Sequence, residues 1–404
     1  MTDTKKDLTK APLARFPEEW ALETVRLGGR TFHGKQVFRW IMARGVSDPA
    51  QMTDIPLALR KALAEAGLGP VLTITPGTRA FDRTRKLLVR LADGATVETV
   101  LIPGVSGERR LGKGVQDEPL DADAAAAADD DDEEPDAEAV SDEKGEGRSV
   151  LRVTQCISTQ VGCAMGCVFC ASGVAGLKRH LGPDEIVAQV LAGKADLDED
   201  ERLRNIVYMG MGEPLHNYAS TERSLRLLTH LDGLAISPRR ITVSTSGLVP
   251  EIARLGADFS GQIGLAISLH AADDETRTRL MPINKKYPLG PLMQALRAYP
   301  LPRRRRITIE YTLVAGKNDT TLEAKKVATL LRGLPVKINL IPMNPIEAST
   351  LGPPNNARTL EFQRVLLDAG YSVFIRRRRG DDVAAACGQL ALLGAKPKVR
   401  VDRG

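Results

Sequence analysis

Residues 149–173, SVLRVTQCISTQVGCAMGCVFCASG, combine a run typical of a β-strand with a cysteine-rich loop that follows it directly. From here to residue 345, short β-rich runs alternate with helical ones. Six such β/α units predict parallel strands joined by right-handed crossovers, in either a doubly wound sheet or a partial barrel. The six β-rich runs lie within residues 149–158, 204–213, 239–247, 262–271, 305–314 and 336–345.

Chemically distinctive residues stand at the ends of these predicted strands. Parallel α/β folds bind their ligands at the carboxyl ends of the strands, so we expect these residues to surround one site. They are Cys156, Gly212 and Glu213, Ser244 to Ser246, Ser268 to His270, and Asn344.

The first 103 residues predict a separate small domain of helices and a hairpin. Apolar residues recur at helical spacing, with Trp20, Val25 and Leu27 in one run and Val37, Trp40 and Ile41 in the next. Three predicted helices stop near Gly28, Gly45 and Gly67. Two alternating runs joined by Asp93-Gly94 then predict a β-hairpin.

Residues 104–148 differ sharply in composition from the rest of the chain. Between Asp117 and Glu146 there are 15 acidic residues and one basic residue. This segment has too much like charge and no apolar face to bury, which predicts a disordered surface insertion. It is either a tolerated spacer or an acidic phosphate mimic that limits non-specific RNA binding.

The remainder of the chain is strongly basic. The whole chain carries +5, and the acidic stretch carries −14, so the remaining residues carry +19. Solvated basic faces are one explanation. Two dense clusters, Arg303–Arg306 and Arg376–Arg379, favour a polyanionic partner instead.

Composition also narrows the class of protein. No run of about 18 apolar residues predicts a membrane span, and the start MTDTKKDLTK lacks the apolar core of a secretory signal. We therefore expect a cytoplasmic monomer with no membrane partner. Thiols stay reduced in that compartment, so the five cysteines need a role other than structural disulfides.

Three of these cysteines form a C-x3-C-x2-C motif at Cys163, Cys167 and Cys170. Soft thiolates this close together suit an iron–sulfur cluster or zinc. Structural zinc usually takes four ligands, and His180 does not stand at a familiar zinc spacing. Three ligands on a four-iron cluster would leave one iron open for a substrate, which favours the cluster.

The motif and its setting resemble the radical S-adenosylmethionine (SAM) superfamily, and within it the RlmN-type 23S ribosomal RNA (adenine-C2) methyltransferases. The resemblance covers nearly the whole chain except the acidic insertion. It implies a partial (β/α)6 TIM-like barrel over residues 149–380 and a C-terminal segment over 381–404. It rests on CISTQVGCAMGCVFC, YMGMGEPLHN, ITVSTSGLVP, AISLHA, PINKKY, NLIPMNP and RGDDVAAACGQLA.

The resemblance implies two cofactors and their ligands. Cys163, Cys167 and Cys170 would hold one [4Fe-4S] cluster, whose open iron binds SAM, and two SAM molecules would be used per turnover. The residues that would contact SAM are Gly212, Glu213, Ser244, Ser268, Leu269, His270 and Asn344.

It also implies three catalytic residues. Carbon 2 of adenine is electron-poor and cannot attack a methyl sulfonium group directly. In this family a cysteine, here Cys387, first becomes S-methylcysteine, and a deoxyadenosyl radical then activates its methyl group for addition to carbon 2. Cys156 would release the product through a transient disulfide with Cys387, and Glu98 would act as proton acceptor.

The implied substrate is adenine 2503 of 23S rRNA before full ribosome assembly, with adenine 37 of tRNA as a further target. An electron donor such as flavodoxin would reduce the cluster. One rival is a Cfr-type enzyme that methylates carbon 8 of the same ribosomal adenine, and another is a non-enzymatic RNA-binding protein with a structural metal. Asn284, Lys285 and Lys286 would either touch RNA phosphates or anchor their loop.

Overall fold

The computed structural model of the chain describes residues 11–69, 73–104, 150–347, 349–376, 380 and 385–390. Most of the predicted acidic insertion therefore lies outside the described residues, as do Arg377–Arg379 of the second arginine cluster. The predicted turn at Asp381 and Asp382 lies outside them as well.

Three helices form in the N-terminal region where the sequence predicts them. They are α1 (Pro17–Arg26), α2 (Thr31–Phe38), which continues as a π-helical turn over Arg39–Ala43, and α3 (Leu57–Glu65). A Cβ on Gly34 would lie 2.2 Å from the Ala21 amide nitrogen, so α1 and α2 pack backbone against backbone. Trp20 is buried between them, whereas Val25 is 49% exposed and does not belong to the apolar face predicted for it.

The predicted hairpin is present and is part of the main sheet. Strands β2 (Arg85–Arg90) and β3 (Thr96–Pro103) pair antiparallel across the Asp93-Gly94 turn, and β1 (Thr73–Arg79) adds to β2. Strand β3 then pairs antiparallel with β4 (Leu151–Cys156), which sets Val100 opposite Cys156. The hairpin thus extends the sheet that carries the first cysteine.

Seven parallel strands follow in chain order across one ten-stranded sheet. A doubly wound sheet needs a point where the strand order reverses, and this order has none, so the architecture is the partial barrel. The seventh strand, β12, was not predicted. The strands after β4 are β7 (Glu201–Tyr208), β8 (Ile241–Thr245), β9 (Gly264–Ser268), β10 (Ile307–Leu313), β11 (Val336–Pro342) and β12 (Ser372–Ile375). Two short strands, β5 (Gln160–Val161) and β6 (Arg179–His180), form a separate pair.

Helices connect the parallel strands and cover the sheet. Strand β10 is buried along its whole length, as expected for a central parallel strand. Among the described residues, no helix has both the length and the apolar character that crossing a bilayer requires. The helices are α4 (Ala171–Ala175), α5 (Pro183–Ala195), α6 (Tyr218–Thr229), α7 (Val249–Phe259), α8 (Asp274–Leu280), α9 (Leu289–Ala298), α10 (Thr321–Leu330) and α11 (Asn356–Asp368).

Arg303–Arg306 and Arg376, the described residue of the second cluster, lie at opposite ends of the barrel strands. Arg303–Arg306 precede β10, at the amino ends of the parallel strands. Within that cluster, Arg306 donates to the Ser372 hydroxyl at 2.8 Å, which ties it to the start of β12. Arg376 instead follows β12 at the carboxyl ends, where the predicted site residues gather.

Candidate active site

A single pocket at the carboxyl ends of the parallel strands collects most of the predicted site residues. Strands β7, β8, β9 and β11 each bring their terminal residues to it, and the cysteine loop and the C-terminal segment close it. Three predicted residues, Cys156, Leu269 and Glu98, are not part of its lining. The predicted residues that line the pocket are Cys163, Cys167, Cys170, Gly212, Glu213, Ser244, Ser268, His270, Asn344 and Cys387.

The three loop cysteines fit an iron–sulfur cluster better than a single metal ion. In the described part of the chain, no three Cys, His, Asp or Glu side chains converge tightly enough to hold one ion. Zinc would need its sulfur ligands at about 2.3 Å, whereas a multi-iron cluster bridges thiolates that stand further apart.

The pKa values of these thiols indicate that they need a cation before they can act as thiolate ligands. Burial raises the pKa of Cys163 to about 12, and the pKa values of Cys167 and Cys170 are also raised, again mainly by burial. Neighbouring sulfurs add to each of these shifts, so the three groups would be thiols at neutral pH without a cation. A positively charged iron centre would convert them to ligand thiolates.

The C-terminal segment is fastened directly to the cysteine loop. The Gly388 carbonyl accepts a hydrogen bond from the Ala171 amide at 2.9 Å, and the Leu390 carbonyl accepts one from the Ser172 hydroxyl at 2.7 Å. Asn344, after β11, donates from Nδ2 to the Cys387 carbonyl at 2.9 Å. These bonds hold Cys387 in the pocket wall.

The Cys387 sulfur has a cation beside it, because Arg376 Nη1 donates to Cys387 Sγ at 3.5 Å. Cys156, at the end of β4, is buried and does not line the pocket. Burial, with a smaller contribution from the neighbouring Cys387, raises the pKa of Cys156 to about 12. All five cysteines are free thiols.

Glu213 is held rigidly at the end of β7. Its carboxylate accepts hydrogen bonds from the Leu215 amide at 3.1 Å, the Ser246 amide at 2.7 Å and the Ser246 hydroxyl at 2.8 Å. Burial raises its pKa, although the Ser246 amide opposes that rise. The preceding Gly212 has φ +105°, and a Cβ there would lie 2.6 Å from Gln160 Cβ, so only glycine fits.

His270 is neutral in one defined tautomer. Burial, with a contribution from Arg277, lowers its pKa to about 3. Its Nδ1 accepts a hydrogen bond from the Thr312 amide at 2.8 Å, so the ring proton must be on Nε2. The side chain is thus a hydrogen-bond donor in the pocket wall.

Sequence reasoning missed Ser246 as the partner of Glu213, and it missed Arg277 altogether. Arg277, on α8, is completely buried and donates to the Leu269 carbonyl at 3.0 Å and the Ser246 carbonyl at 2.7 Å. It therefore ties the ends of β8 and β9 together. Ser246 belongs to one of the predicted strand ends. Nothing in the sequence DETRTRL distinguishes Arg277 from an arginine on a solvent-exposed helix face.

The contacts of Glu98 and Asn284, two further predicted residues, show where each one lies. Glu98 lies in β3, pairs with Lys86 at 3.1 Å, and is two residues from Val100. Because Val100 stands opposite Cys156, Glu98 is on the same face of the sheet as that cysteine. Asn284 is buried and bonds Arg277 Nη1 at 2.7 Å, so it anchors its loop and does not meet RNA phosphates.

Comparison with known proteins identifies the architecture. Residues 157–326 match the Radical SAM superfamily, and residues 18–67 match the ribosomal RNA large subunit methyltransferase N-terminal domain. A crystal structure of a radical SAM methyltransferase from Sphaerobacter thermophilus superposes with a TM-score of 0.79 at 38% identity. It covers 94% of this chain and 98% of its own.

Two curated relatives agree over almost the full length. The dual-specificity RNA methyltransferase RlmN of Sorangium cellulosum is 69% identical, over 96% of this chain and 97% of its own length. The protein of the same name from Geobacter sulfurreducens is 43% identical, over 90% of this chain and 87% of its own. With the cysteine pocket and the singly wound barrel, these likenesses show that the chain belongs to the RlmN family of radical SAM RNA methyltransferases.

Proposed function

We propose that the enzyme methylates carbon 2 of adenine, in 23S rRNA at position 2503 and in tRNA at position 37, through a methylated Cys387. The observation that carries this proposal is the placement of Cys387 in the wall of the pocket that Cys163, Cys167 and Cys170 also line. A methyl carrier must reach both the cofactor and the base, and only a residue in that wall can do so. The name of the relatives, dual-specificity RNA methyltransferase, supports two classes of RNA substrate.

Cys163, Cys167 and Cys170 would be the three protein ligands of a [4Fe-4S] cluster, and the open iron would bind SAM. When bound, these cofactors supply a methyl group and a substrate radical, and the chemistry consumes two SAM molecules per turnover. Glu213 and the Nε2–H of His270 offer an acceptor and a donor to the cofactor, with Gly212, Ser244, Ser268, Leu269 and Asn344 completing its surroundings. A small electron donor such as flavodoxin would reduce the cluster of the monomeric enzyme.

Cys387 is suited to accept a methyl group because it is exposed and has a cation beside it. The sulfur is open to the pocket, and the Arg376 guanidinium donates to it at 3.5 Å. In the transfer, the Cys387 sulfur would accept the methyl group that SAM supplies, with S-adenosylhomocysteine as the leaving group.

Cys156 and Glu98 are the residues that would act in product release. Once Cys387 is joined to carbon 2 through the methyl carbon, the radical adduct would lose a proton from carbon 2 and return one electron to the cluster, which restores the aromatic ring. Attack of the Cys156 thiolate on the Cys387 sulfur would then form the disulfide as the sulfur–carbon bond breaks, and the released methylene carbon would take up a proton to complete the methyl group. Cys156 is electrostatically coupled to Cys387, which supports this role. Glu98 shares a sheet face with Cys156 but does not line the pocket, so it would accept the proton only from RNA that reaches over β3.

The direct test is anaerobic reconstitution with iron and sulfide, followed by assay on protein-free 23S rRNA fragments and on tRNA. Mass spectrometry of the modified nucleoside should place the methyl group on carbon 2 in both RNAs. Cys387→Ala should keep its cluster and its SAM binding but transfer no methyl group.

Two outcomes would overturn the proposal. A methyl group on carbon 8, with carbon 2 unmodified, would assign the Cfr-type reaction. Full activity of Cys387→Ala would show that the methyl group does not pass through this residue.

A further inference from the structure

We propose that Arg277 is the buried counter-charge of the iron–sulfur cluster and raises the reduction potential of that cluster. The proposal rests on the proposed assignment of Cys163, Cys167 and Cys170 as cluster ligands. It gives a role to a residue that no motif or family contact accounts for.

Arg277 forms no direct ion pair among the described residues, and Asp274, the acidic residue that interacts with it electrostatically, is linked to it through Asn284. Its guanidinium donates only to neutral oxygens, and in the described part of the chain no carboxylate oxygen lies within 4.0 Å of it. A buried cation with only neutral partners is expensive, and such a charge normally persists because an anion is close by. The acceptors are the carbonyls of Leu269, Ser246, Ser268 and Tyr287 and the side-chain oxygen of Asn284.

Arg277 lies directly behind the pocket that the three cysteines line. Its Nη2 donates to the carbonyls of Ser246 and Ser268, and both of these residues line that pocket. The amide of Val168, next to Cys167, donates to the carbonyl of Leu280 at 3.1 Å, and Leu280 is the last residue of the helix that carries Arg277.

A fixed positive charge near the cluster would change its reduction potential. A four-iron cluster with three thiolate ligands carries net negative charge, and adding an electron makes it more negative. A neighbouring cation stabilises the reduced form more than the oxidised form, so it raises the potential, and net charge is one of the quantities that set cluster potentials.

The test is a redox titration of the reconstituted full-length protein, followed by electron paramagnetic resonance, without SAM and without RNA. We expect Arg277→Met and Arg277→Gln to shift the midpoint potential to more negative values. Arg277→Lys, which keeps the charge, should stay near the wild-type value. Asn284→Ala is the matched control, since it removes a hydrogen-bond partner of Arg277 and leaves the charge in place, and it should also stay near wild type.

Each result decides the proposal. An unchanged potential in a neutral variant with full iron content would overturn it, and so would an Arg277→Lys shift as large as that of Arg277→Met. If Arg277→Met does not fold, Arg277→Gln, which keeps hydrogen-bond donors for the surrounding carbonyls, decides the proposal: a more negative potential supports it, and an unchanged potential overturns it. The titration contains no RNA, so an error in the proposed methylation site would leave it unaffected, whereas a failure to assemble a cluster would refute the ligand assignment itself.

Discussion

The Ala171 amide donates a hydrogen bond to the Gly388 carbonyl at 2.9 Å, so the residue after Cys170 is joined to the residue after Cys387. The two residues are far apart in sequence, yet their neighbouring sulfurs line one pocket. A second hydrogen bond, from the Ser172 hydroxyl to the Leu390 carbonyl, joins the same two segments again. The position of Cys387 therefore depends on main-chain contacts to the cysteine loop as well as on its own side chain.

Removing the Ser172 bond should loosen this connection. Ser172 is buried, so Ser172→Ala leaves the Leu390 carbonyl without its donor, at a cost of about 1 kcal/mol. We expect faster alkylation of Cys387 by iodoacetamide, read by peptide mass spectrometry, with cluster content unchanged. Ser349→Ala, which removes a local hydroxyl acceptor elsewhere, is the control. Equal alkylation rates in both variants would show that the tail does not rely on Ser172.

Removing Cys156 should stop the reaction before product release. Cys156→Ala keeps the methyl carrier but lacks the sulfur that would attack Cys387, so RNA should remain covalently attached to the enzyme. A denaturing gel should show a protein band of increased mass that collapses after ribonuclease treatment. The double variant with Cys387→Ala should show no such band, and a band there would locate the attachment at another residue.

Replacing Gly212 should damage the site through its backbone. Gly212→Ala combines a φ of +105° with a Cβ 2.6 Å from Gln160, so we expect a stability loss on the order of 3 kcal/mol and weakened SAM binding. Gly290→Ala is the matched control, because its Cβ would meet nothing within 4 Å in α9. That change should be neutral or stabilising by up to about 1 kcal/mol in chemical denaturation. Similar losses in both variants would contradict this account.

Acidification should destabilise the fold through His270. Its pKa in the folded chain is about 3, well below the ordinary value of 6.5. Between these two values the unfolded chain binds a proton that the folded chain does not, so stability falls as pH falls, by about 1.4 kcal/mol per pH unit. His270→Asn should show a smaller loss between pH 7 and pH 5 in denaturation midpoints. Parallel pH profiles would mean that His270 titrates normally in the folded protein.

The sequence predicted the parallel strands most clearly where a strand is buried on both faces. Runs such as RRITIEYTLV are recognisable from composition alone, and β10 is indeed buried throughout. Strand β12 was missed because it has only four residues and is followed directly by arginines, which resemble a loop. The choice between a doubly wound sheet and a barrel needed strand order, which periodicity does not contain.

The candidate site was predictable in its residue types but not in its supporting contacts. Cysteine spacing and strand-end residues identified most of the pocket lining. Burial of a charged side chain has no signature in a single sequence, so Arg277 looked like the other arginines of its helix. Val25 shows the converse, since helical spacing suggested burial and the side chain is 49% exposed.

The separation of Arg303–Arg306 from Arg376 limits how one RNA can contact both. Strand β10 has seven residues, so Arg303–Arg306 at its start lie about 20 Å along the barrel from the carboxyl-end pocket. An oligonucleotide that fills the pocket without spanning that distance can engage only one rim. The length of the shortest RNA that binds with full affinity would therefore measure how far the RNA-binding surface extends along the barrel.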